Sequence, residues 1–167
     1  MRSCAFALMV GLMVLSAGRA ADDEVTIEVG KLPDLTKFVE SNKGKVVVMD
    51  FWGDFCIPCK KEFPNLVRLH NAHKKDGLVA ASVSVDQKDD MADALKFLKD
   101  KKATFFNLLL DEEADAWHAK WGFVGVPAVV VYGRDGKVAK VFSYDDPKDQ
   151  FTYEDVEKLL KTLLPVK

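Results

Sequence analysis

The sequence predicts one α/β domain, a mixed central sheet with helices on both faces. Three observations predict it. Apolar, β-branched runs at residues 46–49, 78–85 and 126–132 read as buried strands. Segments with helical spacing stand between the strands, the pattern of a layered α/β fold. Near the end, Arg134-Asp135-Gly136-Lys137 reads as a hairpin turn, because Asp-Gly tolerates the positive φ that such turns demand.

The elements follow in order. Residues 25–29 alternate apolar and polar side chains and suggest a short strand. Residues 33–41 place Leu35, Phe38 and Val39 at helical spacing and end near Asn42 to Gly44. The strand from Val46 runs through Asp50, Phe51 and Trp52 into a helix that carries Phe63, Leu66, Val67 and Leu69 inward. Pro64 is expected to kink that helix, and Lys74-Lys75-Asp76-Gly77 to end it. The strand 78–85 stops at Asp86, and the helix 90–101 shows Met91, Leu95 and Leu98 on one face. Residues 105–110 are a further strand, and 112–120 a helix in which Trp117 and Trp121 pack into the core. After the hairpin and a polar loop, Thr152 caps a last helix, with Asp155 three residues on as its partner.

Chemistry concentrates at residues 46–64, VVVMDFWGDFCIPCKKEFP. A buried strand stops at two cysteines that open a helix. Cys56 falls in the first turn, where unpaired N–H groups and the helix dipole favour a thiolate. Pro58 fits there because a first-turn proline gives up no hydrogen bond. Cys59, one turn deeper on the same side, can attack a disulfide formed by Cys56. The pair is thus a nucleophile and a resolver. A structural staple is the first alternative, but so short a loop gains roughly 2 kcal/mol or less of chain entropy. Zinc needs four ligands; there is no second CxxC, and His70 and His73 lie three apart on a helix face well below the cysteines. A copper-carrying pair completed by His118 is similarly weak. No metal and no cofactor are expected.

The 167 residues suffice for one core without staples. Residues 1–20 form a separate segment. Met1-Arg2 is a positive start, residues 4–17 are apolar but short of the ~20 needed to span a membrane, and Gly18-Arg19-Ala20 is a small-x-small site. The expectation is a signal peptide over 1–20 and one domain over 21–167, with an uncleaved anchor as the alternative. Cleavage removes Arg2, Arg19 and Cys4, leaving 22 basic against 26 acidic side chains, a net charge of −4. That mildly acidic surface argues against nucleic acid or anionic membrane as partner. It also leaves Cys56 and Cys59 as the sole cysteines, too few for a disulfide-stapled exported scaffold.

The motif WGxxCxPCKKEFP, with strands and helices in this order and a distant Val126-Pro127, resembles the thioredoxin fold. More narrowly, the chain is similar to exported thiol-disulfide reductases of the TlpA/ResA type, which carry an extra strand and helix between the active-site helix and the proline. The resemblance spans residues 25–164 and implies roles. Cys56 matches the attacking cysteine and Cys59 the resolving one. Pro127 matches a cis-proline that turns the backbone of Val126 toward the pair, where an extended substrate can dock. Trp52 matches an aromatic that shields the site and, with Phe55 and Ile57, is expected to give a substrate its apolar surface. Asp50 matches the buried acid of thioredoxin, where TlpA/ResA-type chains resemble Asn-Phe-Trp instead, and Glu62 matches the acid that follows the CxxC in ResA-like sequences. A carboxylate buried under the pair could accept the Cys59 proton. Phe55 stands where the family has a second Trp, Ala128 and Val129 replace a Thr-Thr, and Ser143 and Tyr144 replace a glycine. These departures bear on the substrate surface, to which Ile57 adds apolar area.

The expectation is therefore a monomeric, exported thiol-disulfide oxidoreductase. It reduces disulfides of exported proteins and is recharged by a membrane-bound electron donor, with its site outside the cytoplasm, in a bacterial periplasm. Two other readings use the same fold. A copper or thiol chaperone would bind without turnover. A thiol peroxidase would want a Thr two or three residues before its cysteine and an Arg nearby, and Gly53-Asp54-Phe55 supplies neither.

Overall fold

A computed structural model describes residues 24–148 and 150–165. The expected residues 1–20 signal lies outside them. Among the described residues, six strands form one mixed sheet in the order β1-β4-β3-β2-β5-β6. The strands are β1 (Glu28–Gly30), β2 (Val46–Trp52), β3 (Leu78–Ser84), β4 (Phe106–Leu110), β5 (Ala128–Tyr132) and β6 (Val138–Ser143). The helices are α1 (Leu32–Ser41), α2 (Ile57–His73), α3 (Met91–Lys101), α4 (Ala114–Trp121) and α5 (Tyr153–Leu163). β1, β4, β3 and β2 run parallel, while β5 and β6 are antiparallel to their neighbours. The strand inserted before the proline is β4, which stands between β3 and β1.

The centre of the sheet is β2, every residue of which is buried. Helices cover both of its faces, which is why it reads as an unbroken apolar run rather than an alternation. Its period of two still sorts two cores. Val46, Val48 and Trp52 pack with Cys59, Phe63, Leu66, Tyr153, Val156 and Leu160 beneath α2 and α5. Val47, Met49 and Phe51 face the other way, onto Leu35, Trp117, Trp121 and Phe123. Asp50 falls on the first of these faces, with Ser82 and Val129 beside it in register.

Local chemistry sets the ends of the elements. Asp34 accepts the Lys31 N–H at 2.8 Å and opens α1. Thr152 and Asp155 form the expected capping box of α5. Gly136, at φ 77°, supplies the left-handed residue of the hairpin. α2 runs unbroken through Pro64 and passes into a 3-10 turn at Lys74–Asp76. Val67 is half-buried rather than core, while Phe63, Leu66 and Leu69 are buried as expected. At the end of the sheet away from the cysteines, the Arg134 guanidinium donates to the carbonyls of Gly44, Asp76 and Leu163. No helix among the described residues is long and apolar enough to cross a membrane.

Candidate active site

β2 delivers the chain to the site. After Trp52 it turns back, with the Cys56 N–H donating to the Gly53 carbonyl at 2.9 Å. Cys56 is the N-cap of α2, one position before the first turn where the sequence places it. Its Sγ accepts the Cys59 N–H at 3.2 Å, and a disulfide joins the two residues. The sulfur of Cys56 therefore stands where a helix N-terminus offers its unpaired donors. The turn is pinned from β3. Both carboxylate oxygens of Asp86 accept the Asp54 N–H, at 2.8 and 3.0 Å, and Oδ2 also accepts the Ser84 hydroxyl at 2.7 Å. Burial pushes the Asp86 carboxyl up from its ordinary range, and these hydrogen bonds oppose that rise. Asp54 in turn pairs with Lys60 at 3.0 Å. Asp86→Ala should lower unfolding free energy by about 1–3 kcal/mol, because it strands the buried Ser84 hydroxyl and frees the part-buried Asp54 N–H. A urea titration checks this; an unchanged midpoint means that the turn holds itself.

Near the end of β2, on the face that carries the α2 core, Asp50 is buried, with its Oδ2 accepting the hydroxyl of Tyr153 from the start of α5. Burial pushes the Asp50 carboxyl up to about 7; the Tyr153 hydrogen bond works against the rise and the charge of Glu62 adds to it. Burial, then the nearby Asp50 charge, holds the Tyr153 phenol well above its ordinary range. Glu62 is half-buried on α2 and accepts from Asn65 Nδ2 at 2.9 Å. Both sequence-predicted acids thus gather on the α2 side of the sheet. Asp50 is in the core and Glu62 at its margin.

The residues on either side of Cys56 are apolar and exposed. Phe55 is 70 % exposed, its ring folded back against Gly53, and Ile57 is 79 % exposed. Val124 joins them at 64 %. Val126 is half-buried and precedes a cis peptide bond to the buried Pro127, so it lies just outside the β5 ladder. The Val124 and Gly125 N–H groups donate to the Asp145 carboxylate at 3.1 and 3.4 Å. One expectation needs correcting. Trp52 offers no surface to a substrate: it is wholly buried, against Phe63 at 5.4 Å and Phe97 at 4.8 Å between ring centroids. Its place on the same β2 face as Val46 and Val48 puts it there. In the disulfide, Cys56 and Cys59 are both buried, at 6 % and 3 % exposure.

Sequence reasoning missed Tyr153, Asp86 and Asp145. Tyr153 reads as the first residue of a helix, Asp86 as a strand stop and Asp145 as part of a polar loop. His118 is exposed on α4. Among the described residues, no group of three or more His, Cys, Asp or Glu side chains could hold a metal ion.

The family described as AhpC/TSA matches residues 20–141. The thiol-disulfide oxidoreductase ResA of Bacillus thuringiensis subsp. konkukian is 28 % identical over 152 residues, covering 90 % of this chain and 80 % of that protein. The sporulation thiol-disulfide oxidoreductase A of Bacillus subtilis is 25 % identical over 142 residues, covering 81 % of this chain and 84 % of that protein. Among solved structures, the thioredoxin domain of a thiol-disulfide oxidoreductase from Bacteroides vulgatus superposes with a TM-score of 0.56 at 27 % identity, over 72 % of this chain and 82 % of that one.

Proposed function

On the premise that the chain belongs to the AhpC/TSA family and is a thiol-disulfide oxidoreductase with the thioredoxin fold, we propose that it reduces disulfides in exported proteins. The observation that carries this is the Cys56–Cys59 disulfide at the head of α2, with the exposed Phe55 and Ile57 flanking Cys56 and a buried Asp50 near the end of the strand that leads to it. In the reduced form the Cys56 thiolate attacks one sulfur of a partner disulfide. A mixed disulfide forms and the partner's other sulfur leaves as a thiolate. Asp50 takes the Cys59 proton, and the Cys59 thiolate then attacks Cys56 Sγ, releasing the second partner thiolate. Two electrons have passed from the dithiol to the partner. A membrane-bound dithiol donor restores them.

The partner segment docks in extended form beside Val126, whose backbone lies outside the β5 ladder, and its apolar side chains meet Phe55, Ile57 and Val124. Glu62, at the margin, is the second candidate base. The peroxidase reading loses support from the arginines. Arg68 pairs with Glu157 and Arg134 ties the far end of the sheet, so among the described residues neither serves the cysteines.

Catalytic reduction of insulin, with a reduction potential near or below the glutathione couple, is the expected result. Stoichiometric Cu(I) binding without insulin turnover would instead make the protein a chaperone, and a potential far above glutathione would make it an oxidant. The protein acts as a monomer outside the cytoplasm after cleavage near Ala21. N-terminal sequencing of the exported form should start there, and a chain that keeps residues 1–20 would refute cleavage.

A further inference from the structure

Asp50 is a carboxylate inside an apolar core, and among the described residues the hydrogen-bond donor to its side chain is the Tyr153 hydroxyl. The two residues are 103 positions apart in the chain. Tyr153 is the first residue of α5, and its helix start is fixed by the Thr152–Asp155 capping box: the Thr152 N–H and hydroxyl both donate to Asp155 Oδ2, at 3.0 and 2.9 Å. Tyr153, Val156 and Leu160 form the buried stripe of that helix. The direction of the hydroxyl is therefore set by the docking of α5 rather than by a free rotamer.

We propose that Tyr153 is a positioning residue for deprotonation of Cys59: its O–H, committed to Oδ2, favours the carboxylate form of Asp50 over the acid and leaves Oδ1 to receive the proton. This rests on the reading of Asp50 as the base. A donor to the charged form of an acid favours that form, and here it opposes the burial that would otherwise keep Asp50 protonated. The other groups that face Asp50 work differently. From α2, Cys59, in the proposed role, is the proton source and lies in the core on this face of the sheet, while Glu62 adds negative charge, which also bears on Tyr153 and on Tyr144 in the loop after β6. From β3 and β5 come Ser82 and Val129, in register with Asp50, and neither ionises in this range. Tyr153 moves no proton of its own. Its phenol stays neutral, and so remains a donor, throughout the working range.

The test follows single-turnover release of a peptide thiol from Cys56 as a function of pH, in wild type, Tyr153→Phe, Asp50→Asn and the double variant. Release in wild type should rise with pH through the Asp50 midpoint. Tyr153→Phe should move that midpoint up by about one pH unit, with roughly tenfold slower release below it and the same plateau above it. Asp50→Asn should remove this limb, and adding Tyr153→Phe to it should change nothing further. An unmoved midpoint in Tyr153→Phe, with the limb lost in Asp50→Asn, overturns the proposal and leaves the base standing. A limb that survives in Asp50→Asn overturns the base assignment itself. A measurement on the wild-type protein guards against a variant that folds poorly. By carbon NMR, Tyr153 Cζ and Asp50 Cγ should titrate with one shared midpoint, and a Tyr153 resonance blind to the Asp50 titration defeats the proposal.

Discussion

Cys59→Ala protein should accumulate its partners as mixed disulfides on Cys56, with release slowed by about 10⁵-fold or more. The resolving sulfur sits three residues away on the same helix turn, and its attack is intramolecular. Well-placed intramolecular groups act at effective molarities of about 10⁵–10⁸ M. No external thiol reaches such concentrations, and exchange cannot proceed without an attacking thiolate. Cys59 is buried in the α2 core, and alanine fills much of its space, so the fold should survive. Pull-down from the native compartment under non-reducing conditions checks this. Partners should be released by dithiothreitol, and none should be captured once Cys56 is also replaced. Recovery of small thiols or Cu(I) alone would point to the chaperone.

Asp50→Asn should produce two opposite effects. Release of the mixed disulfide should slow by roughly 10²–10⁴-fold, the ordinary worth of a positioned general base. Stability should rise. Burial lifts the Asp50 carboxyl from 3.8 to about 7 in the folded protein, so between those values the native state binds a proton that the unfolded state has released. Unfolding free energy then falls as pH climbs through that window, and the loss is complete above about 7. It amounts to at most about 4 kcal/mol. Asparagine carries no such burden, so the variant should be the more stable protein at pH 8 and nearly equal to wild type at pH 4. Urea midpoints at the two pH values test the sign. Equal gains at both would mean that packing, not ionisation, is responsible, and wild-type release in the variant would pass the base role to Glu62 or water.

The parts of this site that a reader can find in the sequence are those written locally. The all-apolar β2, the CxxC that opens α2 and the Val-Pro before β5 each sit within a few residues of their own explanation. Asp50 and Glu62 could be singled out because they flank that motif. Trp52 was legible in principle, since it shares the period of Val46 and Val48, and the pull of the motif around it led the reading astray. Tyr153 and Asp86 belong to another category. Each acts through a partner that the fold brings near, 103 and 32 positions distant in the chain, and nothing in the local pattern of a helix start or a strand stop distinguishes them.

Two carboxylates hold the loops that form the proposed docking surface: Asp86, after β3, grips the backbone of Asp54, and Asp145, after β6, that of Val124 and Gly125. The entropy of ordering both loops is therefore spent when the chain folds, not when a partner arrives. In any encounter the yielding must come from the other molecule. Disulfides on slack or unravelled segments can bend to the rigid mouth, while those locked inside finished domains cannot. If the proposed docking holds, selection among partners turns on how far each has folded as much as on its sequence.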